Sequence, residues 1–424
     1  MNELIHVNPL KYPPTGSAKP QLQRAGYKWI AHIRGGPKRV NHSAVLVGDT
    51  IFVFGGFCTG GNYFSAEPID VFKLNTQTLQ WQSVESPAEL SKNVPFMRYG
   101  HAVVAHGNQV YLFGGRNDKG ACNKLYRFDT TTYQWSLIPT TGCIPGPRDG
   151  HTACLIGSSI YVFGGFEEID NCFSNDIFAL DLNTFTWSFV EYKGTPLSHR
   201  DFHSACAIGT RMYIFGGRGD LDGPFHTDVE IYCNRLAYFD TETLRWCYPE
   251  KRGDIPPGRR SHSAFVYNGE LYIFGGYESN KKLHYGNMYC FNPKTEVWRE
   301  FPINVGRTGP PRARRRHASI IAGSRLFIFG GTSPMNDLER AAYLKSEKST
   351  ETDCLQDLKD FLTDHDDLHV LDFSPTLQTL CLDAVIEYEL NTSFLPNSLQ
   401  TKIRQITSDS LLAYHHRDRY FATR

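Results

Sequence analysis

Arg259-Arg260-Ser261-His262, followed by Leu271-Tyr272-Ile273-Phe274-Gly275-Gly276 and then by Asn292-Pro293-Lys294-Thr295-Glu296-Val297-Trp298, is the stretch that decides the fold. Four apolar residues are too few for a helix, and an uninterrupted apolar run of that length reads as a strand covered on both faces. The paired glycines that close it permit positive φ and close backbone approach. An Asx side chain at 292 can bond its own backbone and cap a turn. The Trp then opens the next strand as a large packing block.

Working outward, the same unit recurs along the chain. Gly pairs stand at 55–56, 114–115, 164–165, 216–217, 275–276 and 330–331, spaced 50 to 59 residues apart. Upstream of each is Arg-x-x-His: Arg39/His42, Arg98/His101, Arg148/His151, Arg200/His203, Arg259/His262 and Arg314/His317. Downstream, Asx, Thr and Trp recur at three-residue steps: Asn75/Thr78/Trp81, Asp129/Thr132/Trp135, Asp181/Thr184/Trp187, Asp240/Thr243/Trp246 and Asn292/Thr295/Trp298. Units of four short strands at this period cannot bury both faces alone and must close into a ring, so the expected fold is all-β, a six-bladed β-propeller.

The sixth unit breaks the pattern, because Asp372 is followed by Pro375 and Gln378 where Thr and Trp would stand. The missing strand is expected from the other end of the chain, where Tyr27-Lys28-Trp29-Ile30-Ala31-His32-Ile33 holds the one Trp outside the five matched positions. Pairing it into blade six would close the ring and remove two open edges. The expected organisation is an N-terminal extension (1–26), a propeller (27–373) with a flexible insert at 333–363, a small helical segment (374–408) and a tail (409–424).

Composition narrows function. With 44 Lys+Arg against 44 Asp+Glu the chain has no global charge preference, which argues against a nucleic-acid or membrane-surface partner; the basic run Arg312–Arg316 is too short to reverse that. Eleven cysteines without a Cys-x-x-Cys read as reduced thiols. No apolar run reaches the length of a membrane span and Met1–Gly16 lacks a signal-peptide pattern, so an intracellular protein, cytoplasmic and nuclear, is expected.

What every blade shares should hold the ring together, so His42, His101, His151, His203, His262, His317 and Trp29 read as structural. One histidine per blade spreads donors around a ring rather than onto one ion, so no metal and no cofactor is expected. No nucleophile, base and orienting group recur at a motif spacing, which argues against an enzyme. Function should sit where blades differ. The residues after the Gly pairs (Phe57, Arg116, Phe166, Arg218, Tyr277, Thr332) and those inside Arg-x-x-His (Tyr99, Asp149, Asp201, Phe202, Arg260, Arg315) are expected to face one mouth. Arginine forks with aromatic walls suit a peptide's terminal carboxylate. Asp149 or Asp201 would pair with a basic side chain near it.

Past the ring, Ser374-Pro375 reads as a helix start, and Leu377, Cys381 and Val385 fall four apart on one helical face. That face either receives a partner or lies back on the propeller.

The repeated units resemble the Kelch family. Thr376-Leu377-x-x-x-Cys381-x-x-x-Val385 resembles the elongin-binding box of ubiquitin-ligase receptors, and Leu395-Pro396-x-x-Leu399-x-x-x-Ile403 resembles the cullin-2 box. Together they resemble the Kelch-repeat substrate receptors of cullin-2 RING ligases. The resemblance implies a non-catalytic subunit with elongin B, elongin C and cullin-2 with its RING subunit as partners. It further implies substrates with C-terminal degrons that end in Gly after a basic or polar residue. Related receptors hold the substrate carboxylate with an Arg at the position of Arg218; a second Arg five residues on is Gly223 here, and Arg260 stands where a relative has Ser. The competing reading is a Kelch protein-interaction scaffold, associated with actin or chromatin and without ligase coupling.

Overall fold

The computed structural model describes residues 26–58, 67–85, 91–227, 229–346 and 361–410. Most of the expected N-terminal extension, residues 347–360 of the insert, Asp228 and residues 411–424 of the tail lie outside them.

Among the described residues the strands form six blades, each with four antiparallel strands, and the innermost strands touch in a closed circuit; Thr141–Gly142 and Arg252–Gly253 add a short parallel strand outside blades three and five. Blade one comprises Ser43–Val47, Thr50–Phe54, Val71–Asn75 and Trp81–Val84; blade five comprises Ser263–Tyr267, Glu270–Phe274, Met288–Asn292 and Val297–Phe301. Each Asx of the downstream motif caps its turn as its chemistry requires. Asn75 Oδ1 accepts the amides of Gln77 and Thr78, and Asn292 Oδ1 accepts those of Lys294 and Thr295. The residue two positions before the Trp then takes positive φ in all five units, as at Leu79 and Tyr133.

Blade six is built from Ala318–Ala322, Arg325–Phe329, Leu368–Asp372 and strand β1, Lys28–Ile33, in the order that places β1 outermost against Leu368–Asp372. Trp29 is fully buried, its indole Nε1–H donating to Ile303 O at 2.7 Å and its amide to Val305 O at 3.2 Å. The propeller is closed by its N-terminal strand.

Two expectations need correction. The segment 333–363 is not without regular structure: Thr332–Pro334 pairs with Leu362–Asp364, and helix α1 spans Asp337–Ser346. Its start is a reciprocal capping box, Glu339 N–H to Asn336 Oδ1 at 2.8 Å and Asn336 N–H to a Glu339 carboxylate oxygen at 2.7 Å. The helix past the ring, α2, spans Leu377–Glu387 and is capped by Thr376, whose hydroxyl accepts the Thr379 amide. The helix begins later than Ser374-Pro375 suggested, so Thr376 rather than Ser374 stands at the cap position, and the Ser374 amide instead closes the preceding turn on Asp372 Oδ1. Helix α3 spans Asn397–Thr407.

The tail expected from 409 onward begins with two anchored residues. Arg34 N–H donates to Asp409 Oδ1 at 2.9 Å, Ser410 N–H donates to Arg34 O at 2.8 Å, and Ser410 is buried.

Candidate functional site

The Arg-x-x-His and Gly-Gly motifs meet at the blade seams. In five blades the Arg Nη1 donates to the carbonyl of the first Gly of its own blade's pair, from Arg98 to Gly114 at 3.0 Å through Arg314 to Gly330 at 3.0 Å. Each imidazole reaches the first Gly of the blade before it; a Cβ at Gly114 would lie 2.4 Å from Cε1 of His151. His203, His262 and His317 also contact the hydroxyls of Thr152, Ser204 and Ser263 on those preceding blades, each at 2.7 Å. Burial holds all six imidazoles neutral, with pKa values lowered to about 4 for His42 and to about 3 for His151 and His262.

Between Arg and His the chain turns inward. The third residue of each motif, Asn41, Gly100, Gly150, Phe202, Ser261 and Arg316, has positive φ. Their backbones form a closed circle of hydrogen bonds. Gly100 donates to Asn41, Gly150 to Gly100, Phe202 to Gly150, Ser261 to Phe202, Arg316 to Ser261 and Asn41 to Arg316, at 2.8 to 3.1 Å. This belt surrounds a channel whose wall the six histidines complete.

The second residue of each motif pairs with the residue after its own Gly pair: Val40 with Phe57, Tyr99 with Arg116, Asp149 with Phe166, Asp201 with Arg218, Arg260 with Tyr277 and Arg315 with Thr332. The two variable sets therefore face each other across six short rungs at one end of the ring.

These rungs divide the mouth by charge. On blade four, Asp201 forks Arg218, accepting from Nε at 3.0 Å and from Nη2, while Glu230 accepts from Nη1 at 3.2 Å. Burial opposes charge on Arg218, but the two carboxylates reverse that effect and raise its pKa. Asp201 is thus committed to Arg218 and is not open to a ligand's basic group, which corrects one of the two acids expected for that role. Asp149 is buried, with Arg116 Nη1 no nearer than 3.9 Å. Burial and then the Asp201 charge push its pKa up to about 7.

On blades five and six, Arg315 lies over the Tyr277 ring at 4.1 Å and Arg260 at 5.8 Å, with Tyr277 itself buried. Arg316 lies 5.7 Å over Phe57, and Phe57 packs on Tyr99. Sequence reading took Arg316 only as part of a basic run. The signal available was its place in the motif, where the other five blades carry Asn, Gly, Gly, Phe and Ser.

Three imidazoles gather at the blade-six edge around Asp367: His369 Nε2 at 3.1 Å, with His32 Nε2 and His365 Nδ1 each at 3.9 Å. Arg314 already forks that carboxylate at 2.6 and 2.8 Å, so a cation there would compete with a buried guanidinium.

A profile for the KLHDC2/KLHL20/DRC7 Kelch-repeats domain matches residues 100–331, and the Kelch motif matches residues 38–88. Kelch domain-containing protein 3 of Bos taurus is 45% identical over 389 residues, covering 90% of this chain and 97% of that protein. The chain belongs to the Kelch-repeat family. The Rattus norvegicus protein of the same name is 46% identical over the same shares. Host cell factor 2 of Homo sapiens is 30% identical over 276 residues, 59% of this chain and 34% of that protein, so that likeness is partial on both sides.

In this Kelch chain the C-terminal helices stand on the closing strand. Helix α3 lies along β1, and Ile406 packs on the core shared by blades six and one. Asp383 of α2 is buried beside Lys28 Nζ at 3.2 Å and Arg307 Nε at 3.7 Å. The opposite face is open: Leu377 is 77% exposed and Phe394 89%, Cys381 and Pro396 are exposed, and Val385, Leu395, Leu399 and Ile403 are half-buried. No helix among the described residues is long and apolar enough to cross a membrane.

Proposed function

We propose that this Kelch protein is the substrate-recognition subunit of a cullin-2 RING ubiquitin ligase. Its propeller mouth takes the C-terminal tail of a substrate, and its C-terminal helices attach elongin B, elongin C and cullin-2. The mechanism is proximity: substrate and ubiquitin-charged enzyme are held on one rigid body, which replaces a bimolecular encounter by an intramolecular one. No step of the chemistry falls to this chain.

The observation that carries the reading is the two-sided character of α2. One side is clamped to the ring through buried Asp383, while Leu377 and Cys381 stand in water on a helix that could bury them. Large apolar groups left open on an anchored helix suit a groove-binding partner. At the mouth, guanidinium groups above aromatic rings suit a carboxylate at the end of a tail, and Asp149 on the blade-three rung supplies a carboxyl for a basic residue before a terminal Gly.

Co-purification tests the division of labour. Leu377→Ser/Cys381→Phe is expected to lose elongin B and elongin C and to keep peptide binding, whereas Arg260→Ala is expected to do the reverse. Loss of both activities in both variants refutes the reading.

A further inference from the structure

We infer that Arg316 is a ligand-binding residue at the ring axis and that, with Arg260, it seats the terminal carboxylate of the bound tail. The inference rests on the tail-capture reading and adds to it a residue and a location, blades five and six.

Three features of Arg316 are individually unfavourable and coincide. Its backbone has φ 63°, in the left-handed region that strains a residue with a side chain, at a position where the other blades carry Asn, Gly, Gly, Phe and Ser. Its guanidinium is largely withdrawn from water, and its Nε has no hydrogen-bond partner among the described residues. Three arginines surround it: burial first, then Arg315, Arg260 and Arg218, press its pKa down to about 10 against the smaller opposing effect of Asp364. Strain, desolvation and repulsion held together at one residue mark a site organised for something absent from the free protein. An anion relieves the last two at once.

The partner geometry favours this position over blade four. All three nitrogens of Arg218 are directed to Asp201, Glu230 and His226, and Phe173 covers its face at 5.2 Å. A carboxylate arriving there would have to displace a buried Asp. Arg260 instead keeps a buried Nε without a partner among the described residues and faces the same opening. Arg218, neutralised by Asp201 and Glu230, then acts as a wall of the mouth without binding.

The test uses the full chain and a fluorescein-labelled peptide ending in Arg-Gly, in free-acid and C-terminally amidated forms. Arg316→Gly and Arg316→Asn both fit the left-handed backbone, so thermal unfolding is expected to move up or stay unchanged. Affinity for the free-acid peptide is expected to fall by about ten- to a hundredfold, the range of a lost charge-assisted hydrogen bond. Affinity for the amidated peptide is expected to be the same in wild type and variants. Free-acid binding at wild-type strength in both variants overturns the assignment of Arg316. Equal binding of the two peptide forms by the wild type overturns tail capture itself, and this inference with it.

Discussion

The backbone amide of Trp81 donates to the hydroxyl of Ser410 at 3.4 Å, across 329 positions of chain. At other seams the equivalent Trp amide takes a carbonyl from the loop that leaves the preceding blade: Trp246 from Lys193 at 3.0 Å, Trp29 from Val305 at 3.2 Å. At the seam between blades six and one, Ser410, three positions past α3, takes that place. The C-terminal helices are therefore held at both ends, by Asp383 and by Ser410, and the seam where the ring closes carries an extra stitch.

Gly35 makes room for that stitch. Its φ is 83°, and a Cβ there would lie 1.7 Å from Ser410 O. Gly35→Ala should expel the segment and lower stability by about 2 kcal/mol or more, whereas Ser410→Ala should cost only about 1 kcal/mol, the worth of one hydrogen bond. Chemical denaturation compares the two; a Gly35→Ala protein as stable as the wild type counts against the stitch.

Trp29 carries ring closure. Trp29→Ala removes a fully buried indole and its bond to Ile303, and should destabilise the whole propeller by ~3 to 5 kcal/mol. Hydrogen exchange should rise in Leu368–Asp372, which β1 covers, and not only in β1.

The six seam histidines set an acid limit. Each is neutral in the native ring but takes a proton in the unfolded chain below pH 6.5, so the unfolded state binds more protons. Stability should be level above pH 7 and fall as pH drops from about 6.5 toward about 4. Replacing one imidazole, as in His262→Gln, should reduce the slope in that window by up to ~1.4 kcal/mol per pH unit. Urea unfolding at several pH values measures it, and a flat profile contradicts neutral burial.

Asp149 sets a pH dependence of opposite use. With its pKa near 7, it gains charge as pH rises through neutrality. Binding of a peptide with Arg before the terminal Gly should strengthen from pH 6 to pH 8, binding of one with Gln there should change little, and Asp149→Asn should level the two. Parallel titrations of both peptides decide this.

Much of this architecture was legible in the chain because it repeats. Arg-x-x-His, Gly-Gly and Asx-x-x-Thr-x-x-Trp are local: each acts within its own blade or on an adjacent one, so spacing alone implied the blades and the need for a closing strand. The mouth was legible only as a set of variable positions. That Asp201 would be consumed by Arg218 while Asp149 stood apart depends on side-chain reach across a rung, which no spacing encodes. The capping box Asn336-x-x-Glu339 was readable and would have found α1.

Periodicity by itself determined the all-β ring, its six units and the role of Trp29, because a repeated pattern leaves one way to bury every face. Tertiary structure alone decided which arginines of the mouth are neutralised, that Arg316 sits strained on the axis, and that Ser410 returns to the closing seam. Those outcomes follow from distances between residues far apart in the chain, where charge and packing act through space rather than along the backbone.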